Sequence, residues 1–419
     1  MKVDALVIGA GTAGLTAGTV LARAGLRVLV VATGEGSLPL ASGTVDVLGY
    51  APGPVPSPLE ALPAFLDAHP GHPYRVPGID GVEHGLAWLA EVAEPLGYEG
   101  ALTRNRWVPT VAGGLRPTAM LPRTMAAADL GGGGDVLVAG IRGFRDFHPA
   151  LLAANLSQAG GPEPGSPIRA RSMELDWPGS SSDLAPLRVA RRLENPDIRR
   201  QIADQLRPRL DGAAVVALPA VLGRERAAEV QADLERQLER PVFEVPGLPP
   251  SIPGLRLFDC LRRSLRQAGG RLLLGSSAVA ATREGDRVRS VTITQASRPA
   301  EVQAEVMVLA SGGFATGGIL RERDGTLREP VFGLAVSGPA PTEEPVGRRY
   351  LDDHPLDRAG LLVDAQSRPL DASGAPLASN LYAAGAVLAG AEPWREKSGE
   401  GVSLATAWFA AGTILGGRR

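Results

Sequence analysis

The chain has 419 residues, 44% of them hydrophobic and 21% charged, and a formal net charge of -2. That length exceeds one typical domain, and the balance lacks the basic excess that a phosphate backbone demands, so no nucleic-acid partner is expected. With Cys260 as its single cysteine, it can form no internal disulfide, no CxxC redox pair and no iron–sulfur cluster of its own.

Residues 1–4 run directly into an apolar strand at 3–8 without a charged leader, so no secretory signal is read and the chain is expected in the cytoplasm. Residues 12–24 carry apolar side chains at helical spacing before Gly25, and residues 27–32 form a second apolar strand. Right-handed crossover makes these strands parallel neighbours in a helix-covered sheet. Pro-rich stretches at 51–58, 161–167, 245–254 and 338–346 read as loops or lobe boundaries. His69 and His72 follow the first of these, in a Pro-rich loop where solvation outweighs metal ligation, and no metal site is expected.

A strand at 135–140 with a following helix, and a strand at 213–218 between helical patterns at 187–210 and 224–240, suggest a second α/β lobe inserted into the first. The division is residues 1–50 plus 255–419 for one domain and 51–254 for the insert, whose surface would meet substrate or partner. After it come a helix at 255–268, a strand at 271–274, a β-meander through 278–282 and 287–294, and strands at 306–310 and 381–384. The apolar stretch 401–415 is shorter than the ~20 residues a membrane span needs. It reads as a buried helix, and no direct membrane span is expected.

Gly9-Ala10-Gly11-Thr12-Ala13-Gly14 matches GxGxxG where the first strand turns into the first helix. The first glycine permits the turn, the second lets a pyrophosphate reach the backbone, and the third lets helix and strand approach closely. Helix N-terminal N–H groups then face the phosphate. The ribose-binding carboxylate that usually follows ~20 residues later is missing. Ala32 and Thr33 stand there, and the first acid is Glu35, which leaves FAD held by other contacts or a shorter flavin such as FMN.

Ser42-Gly43-Thr44 lies in a loop at the carboxyl edge of the sheet, where such sheets bind ligands. Strands running into glycine recur at Gly312 and Gly385, and Gly399-Glu400-Gly401 opens the last helix, where free N–H groups can stabilise negative charge on a cofactor. Arg328, beside Glu329 and Pro330, is the weak candidate for catalysis: it would meet a substrate anion or a partner, or pair with Glu329 or another carboxylate.

Through these segments, with ASGTVDVL at 41–48, GLPPSIPGLRLFDCLRRSL at 247–265 and VLASGGFATGGILRERDGTLREPVFGL at 308–334, the sequence resembles the B-subunit family of anaerobic glycerol-3-phosphate dehydrogenase, within the fumarate reductase-like flavoproteins. The resemblance implies an α/β, Rossmann-like FAD/NAD(P)-binding flavoprotein fold with a parallel sheet, a β-meander and an inserted α/β lobe. It implies FMN, with FAD the alternative, contacted by Gly9, Gly11, Gly14, Ser42, Gly43, Gly312, Gly385 and Gly401. It also implies two partners: a larger flavin-containing A subunit that oxidises sn-glycerol 3-phosphate to dihydroxyacetone phosphate, and an iron–sulfur C subunit that anchors the assembly at the inner membrane and passes electrons to quinone. Lys397-Ser398-Gly399-Glu400 departs from the small, glycine-rich run expected before the last helix. Two other readings stand beside this one: a stand-alone flavin-dependent dehydrogenase or reductase of a small organic acid, and a redox-inactive structural subunit, suggested by the missing ribose carboxylate.

Overall fold

The first strand, β1 (Lys2–Ile8), is apolar from Ala5 to Ile8, where both of its faces are covered, while Lys2 is exposed and Asp4 pairs with Arg27. Ala5 and Val7 enter one hydrophobic core, and Val3, Leu6 and Ile8 enter another on the opposite side of the sheet. After α1 (Thr12–Arg23), β2 (Val28–Ala32) repeats the division, with Val28, Val30 and Ala32 on the α1 side and Leu29 and Val31 on the other. The strands run parallel, Val7 beside Val30. In this computed structural model, residues 1–163, 165–179, 184–296 and 298–418 are described; Pro164, within the Pro-rich stretch 161–167, lies outside them.

Two helices that the periodicity alone does not reveal, α2 (Pro58–Ala68) and α3 (Gly78–Val92), place Leu62, Phe65, Leu86 and Leu89 in the core that α1 faces. A hairpin follows, β3 (Arg106–Pro109) with β4 (Leu115–Thr118). Next come β5 (Gly134–Ile141), α4 (Pro149–Ala159), β6 (Ile168–Leu175), α5 (Pro186–Leu193), α6 (Pro196–Leu206), β7 (Val215–Pro219), α7 (Ala227–Leu238) and β8 (Val242–Val245). Their strands form a second, all-parallel sheet in the order β8-β7-β5-β6 around a core of its own. The helical pattern at 187–210 is two helices, because Asn195 caps a new start with Pro196 as its first residue.

The chain returns through α8 (Ile252–Gln267), whose Ser251 hydroxyl accepts the Gly254 N–H, into β9 (Arg271–Leu274), β10 (Ser276–Glu284), β11 (Arg287–Gln295) and β12 (Arg298–Leu309). The strand expected at 306–310 is the end of this longer β12. Its exposed, polar beginning pairs antiparallel with β11, while residues 307–309 pair parallel with β13 (Leu381–Ala383). The large sheet runs β9-β2-β1-β12-β11-β10, with β13 also on β12. The last helix, α9 (Gly399–Gly416), starts earlier than its apolar pattern suggests, and its Leu404, Ala407 and Ala411 share the α1 core. Among the described residues no helix is long and apolar enough to cross a membrane.

Candidate functional site

At the carboxyl end of β1 the chain turns through Gly9 at φ +113, a region L side chains avoid, and an added Cβ would lie 2.0 Å from the Ala310 carbonyl oxygen. Gly14 serves packing instead, since its Cβ would lie 2.0 Å from the Gly9 oxygen, and hydrogen alone allows α1 to sit this close. Gly11 caps α1, and a Cβ there would meet nothing within 4 Å. Its open side faces a cavity of about 620 Å³.

That cavity runs along the carboxyl edge of the large sheet. Gly9, Ala10, Gly11, Thr12 and Ala13 line one end, with Ala32 at the end of β2, Thr33 and Ser37 after it, and Ser276 and Ser277 at the start of β10. Ser311, Gly312, Pro330 and Val331 continue the wall, and Trp394, Gly399, Glu400 and Ser403 close the far end. The starts of α1 and α9 therefore open into one space, and their first-turn N–H groups favour negative charge there. Glu35 is not on the wall; the polar groups where a ribose carboxylate would stand are the hydroxyls of Thr33, Ser37, Ser276 and Ser277.

The cavity fits a phosphate-bearing, dinucleotide-shaped group. The Ser276 and Ser311 hydroxyls are buried on its wall without a hydrogen-bond partner, at a cost that a ligand's acceptors or donors would remove. Its length passes the end of β2 and reaches Ser276, room that a ligand spanning only Gly11 to Gly399 would leave open.

Several expected contacts fall outside this wall. Gly14 and Gly385 pack behind it; an added Cβ on Gly385 would press on Ala13, and its N–H donates to Thr406 Oγ1 at 2.9 Å. Gly401 lies under Tyr74 and the backbone of Asp46 and Val47. Ser42, Gly43 and Thr44 are also off the wall, because their loop is tied into a polar cluster beside it. There Arg116 Nη1 reaches Asp46 Oδ2 at 2.6 Å, and Arg116 Nη2 donates to Ser42 Oγ at 2.7 Å and to Thr44 Oγ1. Thr118 donates to the same carboxylate, while Gly43 packs against Pro253. Arg328 is half-exposed and pairs with Glu322 at 2.8 Å, the plainer of its two expected roles. Glu329 is buried and accepts the N–H groups of Val331 and Phe332, which fixes the loop carrying Pro330.

Sequence reasoning missed Arg116 and the network that seats α9. His72, expected to be solvated, is buried: its Nε2 lies 3.2 Å from Glu396 Oε2, and its Nδ1 accepts the Tyr74 N–H. Ser398 Oγ donates to the same Glu396 oxygen, and the Tyr74 hydroxyl donates to the Val47 carbonyl. These bonds hold the turn at 396–398, and with it the position of Glu400. Only the terminal-helix pattern points this way in the sequence; nothing in the spacing joins residue 72 to residue 396.

Glu400 is the ionisable group on the cavity wall at the start of α9. Burial first, and then the Asp46 charge, push its carboxyl up to about 7, against the opposing pull of Arg116 and Lys397. Lys397 is lowered by its own burial and by Arg116. A carboxyl near neutrality and two cations thus stand where the β3–β4 hairpin, which bears Arg116, meets the start of α9.

The model of the FAD binding domain family matches residues 4–402. The chain is 37% identical to the B subunit of the probable anaerobic glycerol-3-phosphate dehydrogenase of Halobacterium salinarum, over 98% of this chain and 97% of that one. It is 33% identical to the B subunit of the anaerobic glycerol-3-phosphate dehydrogenase of Pectobacterium carotovorum, over 99% of each. Among solved structures, the 3-ketosteroid delta1-dehydrogenase of Sterolibacterium denitrificans aligns with a TM-score of 0.47 and 13% identity, over 99% of this chain and 100% of that one.

Proposed function

The chain belongs to the FAD-binding flavoprotein family of the anaerobic glycerol-3-phosphate dehydrogenase B subunits, and from that premise we propose that it holds a flavin in the 620 Å³ cavity and serves as the electron-handling B subunit of such a dehydrogenase. The single observation that carries the reading is the convergence of the α1 and α9 starts on one cavity with orphaned serine hydroxyls in its wall. Of the two flavins, FAD would use the whole cavity, and Ser37, Ser276 and Ser277 are the residues that would hold its adenosine end.

A bound flavin supplies acceptance of an electron pair and its release in single steps. The chain's own part is positional and electrostatic. Backbone amides of residues 10–13 would hold phosphate oxygens, and the open face of Gly11 would allow their approach. The first turn of α9 stabilises negative charge at the far end. Pro330 and Trp394 exclude water, and Glu400 carries a proton at its carboxyl oxygen near neutral pH.

In this reading an A subunit oxidises sn-glycerol 3-phosphate to dihydroxyacetone phosphate, and an iron–sulfur C subunit anchors the assembly at the membrane and delivers electrons to quinone. The relatives' names as B subunits support it, as does a chain with one cysteine, which must borrow any cluster from a partner. Purification of the full chain, followed by heat release and mass measurement of its cofactor, tests the first half; FAD is expected, and a colourless chain that takes up neither FAD nor FMN overturns it. Dye reduction with sn-glycerol 3-phosphate tests the second half: no turnover by the chain alone, and turnover when the partner subunits are added. Turnover of that substrate by the isolated chain overturns the division of labour.

A further inference from the structure

A second cavity, of about 190 Å³, lies between α7, α8 and the segments at 95–98 and 122–124, and it shares no lining residue with the first. Five arginines stand on its wall: Arg123, Arg224, Arg226, Arg256 and Arg263. Three are matched by carboxylates. Arg256 is buried and takes both Glu244 oxygens, at 2.7 and 2.9 Å, together with the Gly223 carbonyl. Arg224 pairs with Asp259, and Arg226 lies 3.6 Å from Glu229. Arg123 and Arg263, both exposed, pair with no carboxylate among the described residues; with Glu225, Glu229 and Asp259 also on the wall, its five arginines outnumber its three carboxylates.

Two further features belong to the same space. The first turn of α7, residues 227–229, forms part of the wall, and a helix start leaves N–H groups unpaired and favours an anion. The Glu194 carboxylate accepts the N–H groups of residues 224–226 just before it, which fixes the direction in which the helix begins. Thr124, on the wall and 4% exposed, keeps a buried hydroxyl without any partner. Guanidinium groups, a helix start and a free hydroxyl are the donor set that receives phosphate oxygens.

We infer that this cavity is a second ligand site, one that takes a small phosphate-bearing anion. Its volume is below the ~300 Å³ at which pockets for drug-sized ligands begin, so a molecule the size of inorganic phosphate or a short phosphorylated polyol fits and a nucleotide does not. The site does not rest on the proposed flavin reading. It adjoins the loop of the polar cluster, since Tyr98, on its wall, donates its hydroxyl to the Gly43 carbonyl at 2.6 Å, and Pro253, also on its wall, packs on Gly43.

The test is isothermal titration of the full chain, with FAD in excess to keep the first cavity closed to other anions, using inorganic phosphate, sn-glycerol 3-phosphate and uncharged glycerol as probes. Saturable binding of one or both anions and none of glycerol is expected, weakening as salt is raised. A better fit for sn-glycerol 3-phosphate than for phosphate identifies an organic phosphate as the source, and the reverse identifies the free ion. Arg123→Ala and Arg263→Ala, both exposed and outside the first cavity, should each weaken the anion at least tenfold and leave the circular dichroism and flavin uptake unchanged. No saturable uptake of either anion, equal uptake of glycerol, or uptake unaltered in both variants overturns the inference.

Discussion

The backbone N–H of Gly401 donates to the carbonyl of Asp46 at 2.9 Å, so the residue whose carboxylate holds Arg116 also fixes the first turn of the terminal helix. The end of the cavity and the polar cluster beside it are thereby one mechanical unit. An added Cβ at Gly401 would lie 2.2 Å from the Tyr74 hydroxyl oxygen and 3.0 Å from the Asp46 carbonyl. Gly401→Ala is expected to cost about 1–3 kcal/mol in urea unfolding, as overpacking of a filled site does, and to release flavin. Unchanged stability with normal flavin uptake would separate the two features.

Gly11 and Gly14 stand in one motif and should behave oppositely. A Cβ at residue 11 meets nothing within 4 Å, so Gly11→Ala should leave unfolding within about 0.5 kcal/mol of the parent and weaken flavin tenfold or more, read by fluorescence titration. Gly14→Ala drives a Cβ to 2.0 Å from the Gly9 oxygen and should lower stability by about 1–3 kcal/mol before any ligand is added.

Glu400 sets a pH dependence. Its carboxyl is raised from 4.5 to about 7 in the folded chain by burial and by Asp46, with Arg116 and Lys397 opposing. The folded state therefore binds more protons than the unfolded between those values, and stability falls as pH climbs from about 4.5 to 7. Glu400→Gln removes the penalty: the variant should gain roughly 1–2 kcal/mol over the parent above pH 7, a pH unit being worth about 1.4 kcal/mol and the cavity's solvent screening part of it. Below pH 4.5 the two should converge. Parallel curves across the range would show that the carboxyl titrates normally.

Arg116 and Asp46 are a largely buried pair, their side chains 14% and 10% exposed. Arg116→Met leaves the Asp46 carboxylate without its cation and should cost about 3–5 kcal/mol, as breaking a buried pair from one side does. Asp46→Asn on that background should cost much less than on the parent, because neighbouring changes do not add. Additive losses would mean that the pair is not coupled.

Arg328 gives the contrasting case. Its ion pair with Glu322 is about half-exposed on both sides. Arg328→Ala should change stability by less than about 1 kcal/mol and leave flavin uptake intact; loss of flavin would place it at the cavity after all.

The β1–α1–β2 unit is legible in the sequence because both faces of its strands are covered, so Leu6 and Ile8 on one side and Ala5 and Val7 on the other leave an apolar run, repeated over Val28–Ala32, that no exposed strand would carry. The meander is legible from the alternation along Arg287–Gln295, and the terminal helix from its long apolar stretch. The hairpin bearing Arg116 is not: Leu115-Arg116-Pro117-Thr118 is only four residues long and contains a proline, which argues against a strand, and Arg116 gains its meaning from Asp46, 70 positions earlier. The Ser42-Gly43-Thr44 loop resembles a ligand contact because small residues at a sheet edge suit both a ligand and a guanidinium, and sequence spacing does not distinguish them. His72 is misread because a Pro-rich stretch resembles a solvated loop until Glu396, far along the chain, covers it.

The large sheet sets β1 beside β12, with Val7 opposite Val308. The cavity wall draws on residues as far apart as Gly11, Thr33, Ser276, Gly312, Val331 and Glu400. A ribosome therefore releases nearly the entire polypeptide before the cofactor's binding place can exist, and closure over so many intervening residues is slow relative to local folding. Cofactor insertion becomes the closing event of biogenesis, and a nascent chain halted before residue 393 would lack Trp394, Gly399, Glu400 and Ser403, the residues that close one end of the cavity.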